Sequence, residues 1–497
     1  MKRIPLLIIV CLLVISCDKK ENSKTIPEKP NILFISIDDL NNWPGFLGNS
    51  PNAHTPNMDK LAASGMAFKN AHCQAPICAP SRTSVFTGLH PHTTGLYYQF
   101  NDKDIRNSSE AAKNSIFMPD YFEKYGYKTL GVGKIFHNGD KLSVFEEHGD
   151  VFPKMSFGPY LEKRANYDCR WFSDIRRTGT DWGPMELPDS DMSDYKIADW
   201  TVKKLKEDHD KPFFMAVGFI RPHTPWYVPQ KWFDMFDLDS IETPPYLSND
   251  LDDVPEISRQ MHDMPAMPRT EWLIKEDKWK NMVRAYLASM AFVDYQLGKV
   301  LTALEESKYK DNTIIVLWSD HGYHLGEKGR TCKHSLWRPA TNVPLVFAGP
   351  NIKKSSTTNQ AVGLIDLYPT LLEMCNLPKN TTNEGHSIVP LINNPEQNWE
   401  YPAITSYGHK NVSLYKDAYH FIHYTDGSGE LYNIEDDPNE WKNLYNDLAY
   451  SEVITDFKAL LPKTYAPMAP SNKINANPLI DKILLEFGID TPTAKKN

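Results

Sequence analysis

Residues 32–39 read Ile-Leu-Phe-Ile-Ser-Ile-Asp-Asp, an apolar run that ends in two adjacent carboxylates. Three further stretches have the same form, in which polar side chains closely follow an apolar run. They are residues 129–132 before Lys134 and His137, residues 213–220 before Arg221 and His223, and residues 313–318 before Asp320 and His321. Short continuous apolar runs are typical of strands that are buried on both faces. The four runs therefore predict neighbouring strands of a covered sheet.

Amphipathic stretches separate these runs, notably residues 194–206 and 279–304. Strands that alternate with helices predict an α/β fold, a sandwich in which a large, mostly parallel sheet lies between helices. In such sheets ligands bind at the carboxyl ends of the strands. We therefore expect the polar residues that follow the four runs to meet at one edge of the sheet.

The composition changes after residue 392 to short alternating strands and turns. Residues 403–407, 418–424 and 430–434 predict an antiparallel sheet, and a helix is expected near residues 451–462. We assign residues 30–395 to a catalytic domain and residues 396–497 to a smaller C-terminal subdomain. The last dozen residues are expected to fray.

Composition narrows the class of protein. The chain has 497 residues, of which 41% are hydrophobic and 12% aromatic, and this excludes disordered and fibrous proteins. The formal net charge is −9, so bulk attraction to an anionic polymer is absent and we expect no nucleic-acid partner. An anionic substrate would have to be bound by a local basic pocket or a metal ion.

The N-terminus has the form of an export signal. Met-Lys-Arg precedes an apolar run over residues 4–15, which is too short to span a bilayer comfortably. Residues 13–17, Leu-Val-Ile-Ser-Cys, are similar to a bacterial lipoprotein cleavage site. This predicts a signal peptide over residues 1–17, a lipid on Cys17 and a polar tether over residues 18–29. The protein would then be exported, to the periplasm or as an outer-membrane lipoprotein. The alternative is an ordinary signal peptide that happens to end near a cysteine.

The remaining cysteines do not form a framework. Apart from Cys11, Cys17 and Cys78, the chain has four cysteines without paired spacing, which are Cys73, Cys169, Cys332 and Cys375. This pattern excludes a zinc ribbon and a disulfide-dense scaffold. One or two disulfide bonds remain open in an oxidising compartment.

Cys78 lies in the stretch Ile-Cys-Ala-Pro-Ser-Arg, residues 77–82. Pro80 at a first helical position and Gly88 near the end predict a short helix, with Cys78 at its N-terminus. Free backbone N–H groups and the helix dipole attract anions to such a position. Cys78 could be a buried thiol or a thiolate nucleophile activated by the helix end. Neither reading accounts for the accompanying Pro80 and Arg82.

Acidic residues at two strand ends indicate a metal site. Asp38 and Asp39 are neighbours whose charges repel each other unless a cation lies between them. Asp320 and His321 follow another strand and add a carboxylate and an imidazole. Oxygen ligands of this kind suit calcium or magnesium. The alternative is an acidic loop together with a hydrogen-bonded histidine.

Four basic residues lie on separate loops near the predicted edge, namely Lys134, His137, His223 and Lys333. Lysine and histidine can neutralise the oxygens of an anionic ester and can protonate a leaving group. The alternative is that they are solvated lysines and hydrogen-bonded histidines. Their position at the expected active edge favours the catalytic interpretation.

The stretch Cys78-Ala79-Pro80-Ser81-Arg82, with Thr87-Gly88 downstream, resembles the Cys-x-Pro-Ser-Arg element of the type I, formylglycine-dependent sulfatases. That family has the alkaline-phosphatase-like sandwich. The resemblance continues through residues 362–372, 384–387 and 430–433. Within the family the chain resembles the iduronate-2-sulfatase branch most, through residues 132–137, 216–218, 222–225, 319–322 and 325–327.

The resemblance implies that a maturation enzyme converts Cys78 to 3-oxoalanine (formylglycine). It also implies that the hydrated residue binds one Ca²⁺, with Mg²⁺ as the alternative, together with Asp38, Asp39, Asp320 and His321. One hydroxyl of residue 78 would attack sulfur, and His223 or Lys333 would protonate the leaving sugar alkoxide. His137 would deprotonate the second hydroxyl, which expels sulfate. Arg82 and Lys134 would steady residue 78 and the sulfate. The last of these metal-binding positions is more often an asparagine in the wider family, whereas this chain has His321 there.

The expected substrate is a sulfated polysaccharide or its oligosaccharides, either a uronate- or rhamnose-containing algal glycan such as ulvan or a glycosaminoglycan. Five side chains are candidates for contacts with substrate carboxylates or sulfates, although each could equally lie on the surface: Arg170, Arg176, Arg177, His262 and His409. A phosphomonoester or phosphonate hydrolase of the same superfamily is one alternative. A non-catalytic glycan-binding homologue is another, but it requires a missing catalytic group and every expected position is filled.

Overall fold

The computed structural model of this chain describes residues 29–137, 143–151, 158–168, 179–472, 477–486 and 488. The predicted signal peptide and Cys17 lie outside the described residues, and so does the tether up to residue 28. The same holds for Cys169, Arg170, Arg176 and Arg177, and for most of the C-terminal dozen. Among the described residues, none of the helices combines the length and the apolar character that crossing a membrane requires.

The strands of the described residues form a large sheet, a small sheet and a separate pair. In chain order they are β1 Asn31–Ile37, β2 Gly65–His72, β3 Lys128–Gly133, β4 Glu147–Gly149, β5 Trp182–Met185, β6 Phe213–Phe219, β7 Trp226–Pro229, β8 Thr313–Ser319, β9 Asn342–Ala348, β10 Ser356–Thr358, β11 Val362–Gly363, β12 Ala403–Ser406, β13 Val412–Lys416, β14 Tyr419–His423 and β15 Gly429–Asn433.

The α-helices cover both faces of the large sheet and pack beside the small one. In chain order they are α1 Pro56–Ala63, α2 Cys78–Thr87, α3 Pro91–Thr94, α4 Glu110–Asn114, α5 Met118–Lys124, α6 Ser193–Lys206, α7 Gln230–Phe233, α8 Glu256–Met261, α9 Thr270–Lys275, α10 Trp279–Glu305, α11 Arg338–Thr341, α12 Leu367–Met374, α13 Val389–Asn393, α14 Ser451–Leu460 and α15 Pro478–Glu486.

The large sheet has the strand order β10-β2-β9-β8-β1-β6-β3-β4, with β11 also beside β2. The four predicted runs are β1, β3, β6 and β8, and they are adjacent and parallel. Ile37 pairs with both Phe219 and Ser319, so these strands end at the same level. Strand β9 runs antiparallel to β8 and to β2. The prediction of a mostly parallel sheet between helices is confirmed.

Alternation along β1 explains the two helical layers. Leu33, Ile35 and Ile37 face a core that includes buried side chains of α6 and α10. Ile32 and Phe34 face the opposite core, which includes residues of α2, α5 and α12. Successive side chains of a strand point to opposite faces, so an uninterrupted apolar run needs helices on both sides. Complete burial of such a side chain contributes roughly 1.5–3 kcal/mol.

The small sheet has the order β12-β13-β14-β15 and is antiparallel throughout. The three predicted strands are confirmed, and β13 is an additional strand that the sequence did not suggest. Phe421 of β14 packs against Phe457 of α14, so the predicted closing helix is present. Thr405 donates a hydrogen bond to the Cys73 carbonyl and ties the small sheet to the large one. The domain boundary near residue 395 stays a prediction.

Candidate active site

The aligned ends of the parallel strands bring the polar residues together. Asp38 and Asp39 follow β1, Lys134 follows β3, and Asp320 follows β8. All four side chains are fully buried. His223 lies in the loop after β6, two residues beyond Arg221. The structure therefore assembles these candidates at the edge where the strand pattern places them.

Cys78 is the first residue of α2, which is followed by Gly88 in the left-handed conformation with φ 72°. Pro80 is therefore the third residue of the helix and not the first, as expected from the sequence. The Cys78 Sγ atom lies 3.0 Å from Lys333 Nζ and 3.2 Å from His321 Nε2. Burial raises the pKa of the Cys78 thiol, but the charges of Lys134, Lys333 and His321 outweigh it and hold the pKa well below its usual value. The fold thus presents residue 78 to a cluster of cations.

Each of the three carboxylates has a cationic partner. Lys134 donates to Asp38 at 2.5 Å, and Lys333 donates to Asp39 at 2.7 Å. Arg82 Nε donates to Asp320 at 2.8 Å. Burial raises the pKa of Asp320 to about 6, although Arg82 and His321 oppose the shift. Opposite charges this close offset part of the cost of burying carboxylates side by side.

Arg82 is a positioning residue inside the cluster. Its guanidinium also lies 3.4 Å from Asp38 and donates to the backbone carbonyls of Lys134 and Ile135. The side chain is fully buried and its pKa is raised above the usual value, because Asp320 and Asp38 outweigh the effect of burial. One guanidinium therefore links α2 with the ends of β1, β3 and β8.

Two histidines lie at the edge of the cluster. His223 Nε2 is 3.3 Å from Lys333 Nζ and 3.8 Å from Asp39 Oδ2, and Nδ1 is 2.6 Å from the Thr224 carbonyl. The His223 side chain is 14% exposed, whereas Asp39 is fully buried. Burial lowers the pKa of His137, although a hydrogen bond with Cys78 opposes the shift. His223 thus borders the opening of the cluster and His137 lies against residue 78.

The donor set fits a divalent cation. Ligand atoms of Asp38, Cys78, Asp320 and His321 all lie within 4.8 Å of one another, and the same holds for Asp38, Asp39, Cys78 and His223. Asp39 Oδ2 is buried and has no hydrogen-bond partner among the described residues. A buried carboxylate oxygen without a partner is costly, and an ion would satisfy it. Converging carboxylate oxygens favour a hard cation such as Ca²⁺ or Mg²⁺.

Two positioning residues were missed in the sequence. Tyr286 of α10 donates to the Asp39 carbonyl at 2.9 Å and accepts a hydrogen bond from the Asn41 backbone N–H. Ser81 donates to the Asp320 carbonyl at 2.5 Å. Ser81 lies inside the recognised Cys78–Arg82 stretch, so its motif could have indicated it. Tyr286 carries no local signal, because only the packing of α10 brings it to β1.

The proposed substrate contacts are not all supported. His262 is buried, not on the surface, and its Nε2 accepts a hydrogen bond from the Leu336 backbone N–H at 3.3 Å. His409 is partly buried and its ring packs edge-on against Tyr97. Arg170, Arg176 and Arg177 are outside the described residues. The cysteines that the structure describes, Cys73, Cys78, Cys332 and Cys375, are all unbridged and buried.

Comparison with known proteins identifies the class. The sulfatase family matches residues 30–377, and the C-terminal family of N-sulphoglucosamine sulphohydrolase matches residues 326–466. A sulfatase of Formosa agariphila is 46% identical over 467 residues, which is 93% of this chain and 92% of the relative. Iduronate 2-sulfatase of Mus musculus is 31% identical over 70% of this chain and 69% of its own. The chain belongs to the sulfatase family and is an enzyme that hydrolyses sulfuric esters.

Solved structures agree on the fold. An enzyme in complex with its substrate D-glucosamine-2-N,6-O-disulfate matches with a TM-score of 0.68, at 21% identity over 87% of this chain and 97% of that chain. A 2-O GAG sulfatase matches with a TM-score of 0.63, at 21% identity over 94% and 96%. The phosphonate monoester hydrolase of Agrobacterium radiobacter matches with a TM-score of 0.69, at 18% identity over 87% and 94%. At these identities the likeness establishes the alkaline-phosphatase-like fold alone.

Proposed function

We propose that this sulfatase removes sulfate from a sulfated polysaccharide or its oligosaccharides, and that it does so through formylglycine at position 78 and one divalent metal ion. The substrate class is a glycosaminoglycan or a uronate- or rhamnose-containing algal glycan such as ulvan. The observation that carries the proposal is the position of residue 78, at the start of α2 and in contact with Lys333 and His321. A Cys-x-Pro-Ser-Arg stretch begins at this residue.

The named activities of the similar proteins support the substrate class. The iduronate 2-sulfatase and the 2-O GAG sulfatase are named for uronate or glycosaminoglycan substrates, and a third protein binds a disulfated glucosamine. The acidic chain offers no general attraction for such polymers. The cations around residue 78 would therefore bind the sulfate locally, where the surrounding protein excludes water and strengthens the interaction.

The metal ion, Ca²⁺ with Mg²⁺ as the alternative, would be held by Asp38, Asp39, Asp320, His321 and residue 78. When bound, it would act as a Lewis acid that withdraws charge from the sulfate oxygens. Lys134 and Arg82 hold Asp38 and Asp320 in place from the protein side. Asp39 Oδ2 accepts no hydrogen bond from the described residues, so this oxygen would be available to bind the ion.

The other side chains divide the proton transfers. Hydrated formylglycine supplies a nucleophilic hydroxyl and a second hydroxyl, which splits one displacement into two steps. His223 is oriented by the Thr224 carbonyl and borders the opening, so we assign it the protonation of the leaving alkoxide. Lys333 contacts Asp39 and residue 78, so its charge would steady both. His137 lies against residue 78 and would accept its proton in the second step.

Mass spectrometry of the tryptic peptide of residues 70–82 tests the modification. This peptide contains both Cys73 and Cys78, so it carries an internal control. After production in a host with the formylglycine-generating enzyme and alkylation of thiols, the peptide should carry one alkyl group, on Cys73, and an aldehyde at position 78. Two alkyl groups in an active enzyme would contradict the proposal. The Cys78→Ala variant should fold normally and be inactive.

A phosphomonoester or phosphonate hydrolase is the second candidate for the natural reaction, because a phosphonate monoester hydrolase shares the fold. Parallel assays with 4-nitrophenyl sulfate and 4-nitrophenyl phosphate, followed by a panel of sulfated oligosaccharides, separate the two. Preferred release of sulfate supports the proposal. A higher kcat/KM for the phosphate ester would identify the sulfatase activity as secondary.

We also propose that the protein is an exported lipoprotein anchored through Cys17, in the periplasm or on the outer membrane. The apolar run before Ser16-Cys17 supports this assignment. Labelling with a radioactive fatty acid in a bacterial host tests it, with Cys17→Ala as the matched variant. Label on the wild type and none on the variant is expected, whereas an unlabelled wild type would indicate an ordinary signal peptide.

A further inference from the structure

A cavity of about 310 Å³ lies apart from the residues of the active site. Its lining consists of residues 42–43, 49–51, 242–245, 327–328, 338–339, 438–439 and 441. None of the catalytic or metal-ligand candidates belongs to its lining. We call it the Trp441 cavity, after the aromatic residue at its rim.

Trp441 is the first feature that points to a ligand. Its side chain is 38% exposed and lines the cavity. Trp43, which is 5% exposed, lines the same cavity and provides a packed aromatic wall. An indole that is partly exposed in a polar cavity offers a flat surface for the C–H face of a sugar ring.

Arg338 is the second feature. No carboxylate lies within 4 Å of its guanidinium in the part of the chain that the structure describes, and its buried Nε has no hydrogen-bond partner there. Its backbone is engaged, because the N–H donates to the Glu440 carboxylate at 2.9 Å and the carbonyl accepts from the Asn342 N–H. A guanidinium with spare donors matches the oxygens of a sulfate or a carboxylate in a bidentate geometry.

The other charges of the cavity do not occupy Arg338. Lys328 is buried and donates to Asp250 at 2.9 Å and to the Glu440 carbonyl. Glu327 accepts a hydrogen bond from the Leu325 backbone N–H at 2.6 Å. Glu242 is exposed. Arg338 is thus the cation of the cavity that is available to an incoming anion.

Amide side chains complete the lining. Asn439 makes no side-chain hydrogen bond with the described residues. Asn49 donates to the Asn42 carbonyl at 2.9 Å, and its own carbonyl oxygen remains available. Amides supply both donors and acceptors, which suit the hydroxyl groups of a sugar. An aromatic face, a spare guanidinium and amides with unused hydrogen-bonding groups together describe a site for an anionic carbohydrate.

We propose that the Trp441 cavity is a second carbohydrate-binding site, which holds a sulfated or carboxylated sugar unit of the polysaccharide away from the ester that is hydrolysed. This inference rests on the proposed polysaccharide substrate. Two sites that engage one polymer raise its apparent affinity, because the second binding event is intramolecular. 4-Nitrophenyl sulfate has no second sugar unit to place in the cavity, so its turnover should be independent of the cavity.

The test compares two cavity variants with two matched controls in the full-length enzyme. Trp441→Ala and Arg338→Gln change the cavity. Tyr295→Ala removes an aromatic side chain that is 51% exposed elsewhere, and Arg269→Gln removes an arginine that already pairs with Asp263 at 2.7 Å. Affinity electrophoresis in gels that contain heparin or ulvan measures binding without turnover. Initial rates with polymer and with 4-nitrophenyl sulfate complete the set.

Each cavity variant should bind at least one polymer about tenfold more weakly than the wild type, with a matching rise in KM and an unchanged rate on the aryl sulfate. Loss with heparin alone or with ulvan alone supports the site and identifies the glycan. Equal retention of wild type and cavity variants in both gels would overturn the inference. A parallel loss of aryl sulfate turnover in a variant with wild-type melting temperature would also overturn it. If the wild type binds the polymer through the cavity but releases no sulfate from that polymer, the second binding site is supported and the proposed function is refuted.

Discussion

Replacement of Lys333 tests which group protonates the leaving alkoxide. The Lys333 ammonium lies 2.7 Å from Asp39 Oδ1 and 3.0 Å from the sulfur of residue 78, and its side chain is 10% exposed. Two unit charges about 4 Å apart interact by about 4 kcal/mol at an effective dielectric constant near 20. Removal of one charge should therefore lower kcat by about 100- to 1,000-fold in Lys333→Met.

This loss should be the same for aryl sulfates with good and poor leaving groups, because Lys333 acts through Asp39 and residue 78. Lys333→Arg keeps the charge and should recover part of the rate. In contrast, His223→Gln should lose little with 4-nitrophenyl sulfate and about 100-fold or more with a sugar sulfate, whose alkoxide needs a proton. The assay is a plot of log kcat against leaving-group pKa for each variant. A steeper slope for Lys333→Met than for His223→Gln would refute the assignment and make Lys333 the acid.

Three further outcomes follow from the buried charges. Arg82→Met leaves Asp38 and Asp320 without their shared guanidinium and should lower the free energy of unfolding in urea by about 3–5 kcal/mol, whereas an unchanged midpoint would show that the cluster does not depend on this pair. Burial raises the pKa of Asp366 from 3.8 to about 7, so its contribution to stability is complete below pH 3.8 and is lost as the pH rises through 7. In the wild type this loss of unfolding free energy should amount to at most about 1.4 kcal/mol per pH unit, and Asp366→Asn should abolish it. If the unfolding free energies of the two proteins depend on pH in the same way, the assignment is contradicted. Incubation with EDTA should abolish activity and lower the melting temperature, and added Ca²⁺ should restore both. The reason is that a free-ion concentration of 100 times the Kd stabilises the fold by about 2.7 kcal/mol. An enzyme that is active and contains no metal by elemental analysis would exclude the metal site.

The arrangement of the active site explains how so many charges are buried together. Asp38, Asp39 and Asp320 are each paired with a different cation, and the cations come from different segments. A lost partner would leave a buried charge that the remaining groups compensate only in part. The same pairing directs the open oxygen of Asp39 and residue 78 toward the position of a ligand.

The sequence by itself determined the sheet and predicted which residues lie at its active edge. Continuous apolar runs can be covered on both faces only in a sheet between helices, and this requirement is local enough to read from residues 32–37. The polar residues after each run belong to one edge because parallel strands end together. The stretch from Cys78 to Arg82 then indicated the reaction, through the identity of its residues and not through their packing.

Only the tertiary structure decided which atoms meet. Lys333 and Asp39 are 294 positions apart, and no periodicity in the chain indicates that their side chains touch. Tyr286 reaches the end of β1 only because α10 packs across the sheet, and β13 is recognised as a strand by its pairing with β12 and β14. The burial of His262 and the Trp441 cavity depend on segments that are distant in sequence. Contacts between distant segments depend on how whole elements pack, whereas the strand pattern and the motif are properties of a few consecutive residues.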